Sequence, residues 1–397
     1  MVSILQNCTG IGKTSYGLGQ VALNLSRELN VLGCDARIWC FDRDDDIQWA
    51  SYSSRLPENK IRKFSVIGPR RLGLSVAMMK SAAGRDGRFF DIVHQHGIWT
   101  GVSLVTTTLH EKFGLPYVVA PHGSLEQWAL KRSRIKKWIA KTAYESRNLK
   151  YASCLQATAE HEVSDFRDFG LDNPVALIKN GISDHWLNSE GDTKRFQRQF
   201  EISFEKRILF YLSRITPKKG LLMLIKAIEE IKADFENWIL VIGGTDEFGH
   251  KAEVESLVKS LDMKDRVKFV GPLFDQPKRD AFAAADLFIL PSYSEGAPIV
   301  VLDSLAVGVP VITTKASAWK DLEDYKCGWE ADISVDGICE SLREAISLSR
   351  EQLKEMGQRG RKLVESKYTW NSSAQKMIKL YDWLLGRSDR PEFVITD

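Results

Sequence analysis

The sequence has no run of 18 apolar residues, no Cys-x-x-Cys pair and almost no net charge. Without such a run no helix is expected to cross a bilayer. The start, MVSILQNCTGIGKTS, has no charged segment ahead of a long apolar stretch, so a secretory leader is not expected either. Six cysteines, scattered at 8, 34, 40, 154, 327 and 339, suit reduced thiols in the cytoplasm and argue against structural zinc. A formal charge of +3, from 55 basic and 52 acidic residues, is too small to imply a nucleic-acid partner. Only 12 prolines, no low-complexity tract and no repeat of 20–50 residues exclude disordered, fibrous and solenoid chains.

What is present points to a folded enzyme. At 397 residues, 44% of them hydrophobic, the chain exceeds what one core usually holds, so two domains are expected. Short apolar runs alternate with segments of helical period, the pattern of βαβ units feeding parallel sheets. One set comprises Val2–Asn7, Ala36–Phe41, Asp91–His94, Tyr117–Ala120 and Cys154–Ala157. A second comprises Arg207–Leu212, Trp238–Ile242, Val267–Val270, Leu287–Leu290 and Val309–Thr313. Two doubly wound α/β domains follow, divided near Ser183 after the Asn180-Gly181 turn. Ligands of such sheets bind beyond the carboxyl ends of the strands, so an interdomain cleft is the expected site.

Three motifs near the N-terminus invite nucleotide readings. Gly12-Lys13-Thr14 resembles a phosphate loop, but Asn7 stands where that motif needs its first glycine. Gly17-Leu18-Gly19-Gln20-Val21-Ala22, with Asp42 beyond it, matches a dinucleotide fingerprint, yet nearly ten residues separate the strand from Gly17. A glycine loop through Gly17 and Gly19 that admits a sugar to the backbone is the preferred reading. Asp42-Arg43-Asp44-Asp45-Asp46 contains an Asp-x-Asp able to hold a divalent ion, but acidic clusters after strands are usually solvated turns.

The second half is more specific. Leu287–Leu290 precedes Pro291-Ser292-Tyr293-Ser294-Glu295-Gly296-Ala297-Pro298, and a helix from Pro298 to about Val307 stops at Gly308. Unpaired N–H groups of Ala297, Ile299 and Val300, either side of Pro298, and the positive helix end suit a diphosphate. Glu295 and Asp303 can accept hydrogen bonds from sugar or ribose hydroxyls. Arg214, a planar fork, and Lys219, a mobile point charge, share the loop after Arg207–Leu212 and suit a leaving diphosphate. His122 precedes Ser124 and Gln127, which read as a capping box opening a helix Ser124–Lys150. His94 and His96 project to one face of a strand, either lining the acceptor side of the cleft or as satisfied core histidines.

The string SEGAPIVVLD, the loop Ser213-Arg214-Ile215-Thr216-Pro217-Lys218-Lys219-Gly220, and Ala120-Pro121-His122-Gly123 together resemble the retaining GT-B glycosyltransferases of family four. One departure is that the second acid of the motif is Asp303, one methylene shorter than the family's Glu. The resemblance implies two Rossmann-like domains facing a cleft. These would be an acceptor domain over 1–182, a nucleotide-sugar domain over 183–370, and a helix within 371–397 crossing back to the first. It implies that Arg214 and Lys219 hold the diphosphate with Gly296 to Val300, that His122 and Glu295 contact the donor sugar, and that Asp303 contacts the ribose. No enzymic nucleophile is identified, and the resemblance implies that the departing phosphate oxygen takes the acceptor proton on the same face. The expected reaction transfers a hexose from a UDP- or GDP-sugar to a hydroxyl of a growing or lipid-linked glycan, with no metal or other cofactor. Alternatives are a silent nucleotide-sugar binding protein and a NAD-dependent oxidoreductase. Residues 131–141 are basic, and no acid stands between Gln127 and Tyr144. This predicts a cytoplasmic protein that contacts anionic membrane through that segment, with a merely solvated basic face as the alternative.

Overall fold

The computed structural model describes all residues except 13–15, 43–54, 70–71, 132, 189, 296–297, 318 and 397, and describes 16, 17, 128, 184 and 185 by their backbone alone. The chain divides into two compact units, Met1–Gly181 with Trp370–Asp397, and Ile182–Thr369. None of the six cysteines forms a disulfide.

The first unit is a sheet of seven parallel strands: β1 (Ser3–Cys8), β2 (Asp35–Phe41), β3 (Ile61–Phe64), β4 (Ile92–His96), β5 (Tyr117–Ala120), β6 (Cys154–Ala157) and β7 (Val175–Leu177). Their spatial order is β7-β6-β5-β4-β1-β2-β3, and a short last strand, Val394–Ile395, runs antiparallel along β7. Strand order therefore reverses between β1 and β4, where ligands of open α/β sheets bind. In that pairing Gln6 lies opposite His94 and Cys8 opposite His96, so alternation puts Gln6, His94 and His96 on one face. The C-terminal helix Trp370–Leu384 packs on the helix Tyr16–Val31 and buries Tyr381.

Two expectations fail in this unit. Gly17 and Gly19 belong to the helix Tyr16–Val31, not to a loop. Each glycine costs a helix about 1 kcal/mol, but the buried stripe Val21, Ala22, Leu25 and Leu29 recovers more by packing. Nor is Ser124–Lys150 one capped helix. Residues 121–126 form turns, with the Ser124 N–H donating to the Pro121 carbonyl at 3.3 Å. Short helices Gln127–Lys131, Arg134–Ala140 and Ser146–Lys150 follow, with Ser133 left-handed at φ 51° and a π-turn at Lys141–Glu145. The π-turn inserts an extra residue and rotates the phase, so Leu149 is buried while Ile135, Trp138 and Ile139 are exposed at 77%, 67% and 55%.

The second unit holds six parallel strands, β8 (Arg207–Leu212), β9 (Trp238–Gly243), β10 (Val267–Gly271), β11 (Leu287–Leu290), β12 (Val311–Thr314) and β13 (Gly328–Ala331), in the order β10-β9-β8-β11-β12-β13. Its reversal falls between β8 and β11. These two central strands are buried over nearly their whole length, and Phe210 and Phe288 from them meet Phe282 edge-on or tilted.

Candidate functional site

In the second unit the loops leaving β8 and β11 meet at the reversal point. After β8 the chain makes a 3-10 turn, Pro217–Lys219, and leaves it through Gly220 at φ 72°. A β-carbon on Gly220 would lie 1.9 Å from the Pro291 carbonyl oxygen, so only glycine lets the two loops touch. The Tyr293 N–H then donates to the Lys218 carbonyl at 2.8 Å, and the Lys219 ammonium pairs with the Glu295 carboxylate. Both side chains are buried, and Ser292 donates its hydroxyl to the same carboxylate. Burial pulls the Lys219 ammonium below its ordinary range. Glu295 opposes the shift, while Lys218 and Arg214 reinforce it by repulsion, so Lys219 and Arg214 feel one another's charge. Arg214 is ion-paired through Nη1 to Glu247 at 2.9 Å and keeps a partly exposed side chain.

The helix after β11 runs Ile299–Val307 and ends in Gly308 at φ 84°. Pro298, expected at its first helical position, is instead its N-cap, so Ile299 and Val300 open the first turn, whose N–H groups have no acceptor within the helix itself. Gly296 and Ala297 lie outside the described residues. Asp303 is buried inside this helix, its Oδ2 2.5 Å from the Lys278 Nζ. Burial raises its carboxyl pKa and Lys278 opposes the rise. Sequence reading gave Asp303 a ligand role and no protein partner; Lys278, on another helix, had no motif to mark it.

Beside Arg214 a cavity of about 400 Å³ is lined by Ile215, Gly244, Thr245, Lys251, Phe269 and Pro272, among others. None of these but Ile215 stood in a motif. The available signal was Gly243-Gly244 directly after an apolar strand: Gly244 has φ 143°, and a β-carbon there would meet the Ser213 carbonyl oxygen at 1.7 Å.

In the first unit His122 stands in the turn after β5 in a left-handed conformation, φ 52°, followed by Gly123 at 73°. Such a conformation is uncommon outside glycine, and the turn is held here by Glu162, which accepts the Gly123 N–H and the Thr158 N–H, both at 2.6 Å. His94 and His96 are fully buried and do not line an open surface. Their rings stack with centroids 4.4 Å apart, and His96 Nδ1 lies 3.1 Å from His122 Nε2. Burial lowers the His122 pKa to about 4 and the His94 pKa to about 3, and holds His96 well below the usual range, so all three rings are neutral at pH 7. Asp42 pairs with Lys63 at 3.2 Å, while Asp44 to Asp46 lie outside the described residues.

Comparison with known proteins agrees with this geometry. Residues 192–363 match the family described as glycosyl transferases group 1, and residues 16–181 match the glycosyl transferase 4-like domain. A D-inositol 3-phosphate glycosyltransferase of Catenulispora acidiphila is 25% identical over 60% of this chain and 58% of its own length. Another, from Corynebacterium jeikeium, is 22% identical over 82% of this chain and 80% of its own. Among solved structures, the Anabaena protein HepE in complex with UDP and glucose superposes with a TM-score of 0.78 and 17% identity, covering 96% of this chain and 99% of HepE. With two parallel-sheet α/β domains, each matched by its own half of the family pattern, the chain belongs to the group 1 glycosyltransferases of GT-B fold.

Proposed function

We propose that the chain is a retaining, metal-independent hexosyltransferase that moves a sugar from a UDP- or GDP-sugar to a hydroxyl of a growing or lipid-linked glycan. The carrying observation is the buried Lys219–Glu295 pair where the β8 and β11 loops meet, with Arg214 in the same loop and a helix N-terminus at Ile299. A diphosphate can take over the pairing that Glu295 gives Lys219 and Glu247 gives Arg214. It would draw on Lys219 and Arg214 together with the Ile299 and Val300 amides, while Glu295 turns to the hydroxyls of the donor sugar. The cavity beside Arg214 takes the nucleoside, and Asp303 takes the ribose once Lys278 shares it. His122 contacts the donor sugar. Catalysis is then positioning plus stabilisation of the charge that develops on the leaving diphosphate, whose own oxygen receives the acceptor proton. The UDP and glucose bound by HepE, and the glycosyltransferase names of the relatives, favour this donor class.

We further propose an acceptor at a membrane surface. The helix Arg134–Ala140 exposes Ile135, Trp138 and Ile139, and Lys131, Arg134, Lys136, Lys137 and Lys141 lie in or beside the same segment with no acid nearby in sequence. An apolar ridge in a basic collar complements an anionic lipid surface. Among the described residues no helix is long and apolar enough to cross a membrane, so the contact proposed is peripheral.

The test is release of free UDP or GDP from a panel of UDP- and GDP-hexoses, with lipid-linked and soluble glycan acceptors. Acceptor-dependent release supports the reading. Tight donor binding without release under any acceptor would instead support a silent binding protein, and a nicotinamide-dependent absorbance change an oxidoreductase.

A further inference from the structure

Buried polar side chains around β4 are linked by hydrogen bonds, and the Gln6 amide sets their direction, because its nitrogen only donates and its oxygen only accepts. Gln6 Nε2 donates to the Tyr381 hydroxyl oxygen at 3.4 Å, and that hydroxyl lies 2.7 Å from His94 Nδ1, which accepts its hydrogen. Gln6 Oε1 faces His96 Nε2 at 2.5 Å, so that nitrogen is the donor. A neutral imidazole has one N–H, so His96 Nδ1 is bare, and His122 Nε2, 3.1 Å away, donates to it. By the same rule His94 carries its hydrogen on Nε2, a buried atom with no hydrogen-bond partner among the described residues.

We propose that this relay, His94–Tyr381–Gln6–His96, sets the tautomer of His122 so that its Nδ1 presents a lone pair to the ligand. The four are positioning residues, and the proposal rests on the reading that His122 contacts the donor sugar. A neutral His122 with a bare Nδ1 can accept from a sugar hydroxyl. It can neither donate to a phosphate oxygen nor lend positive charge to the leaving group. Its task is thus recognition of one hydroxyl of the transferred sugar, and the C-terminal helix enters the site through the single atom Tyr381 Oη.

The test reads the tautomer directly. Ring 15N spectra of histidine-labelled, ligand-free protein at pH 7, assigned with single His→Asn variants, are expected to show His94, His96 and His122 each protonated on Nε2 and bare on Nδ1. A wild-type His122 protonated mainly on Nδ1 overturns the relay, and this measurement needs no variant to fold. In Gln6→Leu the His96 and His122 rings lose their imposed direction, and the His122 signals should move toward a mixture of tautomers. An unchanged His122 spectrum in folded Gln6→Leu also overturns the proposal. For transfer, Gln6→Leu should lower kcat/KM about three- to tenfold, the loss expected of one neutral hydrogen bond, with binding of free UDP unchanged and with partial rescue by Gln6→Asn. A donor analogue lacking the recognised hydroxyl should lose the difference between wild type and Gln6→Leu; persistence of the full difference for every deoxy analogue overturns the sugar contact. If the spectra are as expected and no hexose donor is turned over, the relay stands and the transferase reading falls.

Discussion

Gly220 lies so close to Pro291 that a β-carbon on it would stand 1.9 Å from the proline's carbonyl oxygen. That approach carries Lys219 to Glu295, because it lets the β8 loop slide beneath the β11 loop. Gly220→Ala must resolve both the clash and a positive φ of 72°, and should cost on the order of 2 kcal/mol or more. Gly114 provides the control: its φ is 68°, but nothing lies within 4 Å of where a β-carbon would go, so Gly114→Ala should cost only about 1 kcal/mol. Urea unfolding of the two variants checks this. Equal losses would show that the approach to Pro291 contributes nothing.

The two cations proposed to hold the diphosphate should respond differently to removal. Arg214 is partly exposed and its pair with Glu247 is a surface one, so Arg214→Ala should change stability by no more than about 1 kcal/mol. Its turnover should still fall roughly ten- to a thousandfold, as for one lost group stabilising a developing charge. Lys219→Ala strands the buried Glu295 carboxylate and should lose about 3 kcal/mol as well as activity. Paired unfolding and rate measurements decide the matter. A fully active Arg214→Ala would remove Arg214 from the site.

How much of this was legible beforehand depended on sequence distance. Strands of continuous apolar residues, such as Leu287–Leu290, stood out because both of their faces are buried. The edge strands Ile61–Phe64 and Gly328–Ala331 did not, since IRKF and GWEA take their strand conformation from a neighbour and not from their own pattern. Arg214, Lys219, Glu295 and Asp303 fell within compact motifs. Their partners did not: Lys278 meets Asp303 from 25 positions away, and Tyr381 meets Gln6 from 375. The helix Ser124–Lys150 misled because neither a left-handed Ser133 nor a π-turn has a residue signature.

The buried histidines make stability depend on pH. Their folded pKa values, about 3 for His94 and about 4 for His122, lie below the ordinary 6.5, so the unfolded chain takes up protons that the native state refuses. The stability is fully present above about pH 6.5 and is lost as pH falls from there toward 4, by about 1.4 kcal/mol per pH unit for each proton. Urea midpoints at pH 7, 5.5 and 4.5 follow this, and His122→Asn should flatten the slope by up to one proton. A slope unchanged in that variant would mean that His122 titrates normally.

Membrane docking through the helix Arg134–Ala140 makes a charge-dependent and a ridge-dependent prediction. The protein should sediment with vesicles of phosphatidylglycerol and phosphatidylcholine at low salt and not with phosphatidylcholine alone. Each of Lys131, Arg134 and Lys136 replaced by Ala should weaken binding about fivefold, the equivalent of ~1 kcal/mol per charge. Trp138→Ala, which removes an exposed ring and leaves the charge, should weaken it too. Equal pelleting with both vesicle types would sink the docking surface.

Metal independence and stereochemistry are tied together, because both follow from fixed protein cations serving where a divalent ion would otherwise neutralise the diphosphate. If Lys219, Arg214 and the helix end at Ile299 carry that charge, EDTA should leave the transfer rate nearly intact. The rival account places an ion on the Asp42–Asp46 cluster. It requires EDTA to abolish transfer and Asp44→Asn to reproduce the loss, since the diphosphate would then be a poor leaving group. On the fixed-cation account the diphosphate also stays on the face from which it departs. Its oxygen can then guide the acceptor hydroxyl to that same face, so an α-linked donor should give an α-linked product. The coupling constant of the product's anomeric proton reports this directly. A β product formed at a rate unaffected by EDTA would retain the diphosphate site and overturn same-face attack, whereas an EDTA-sensitive α product would do the reverse.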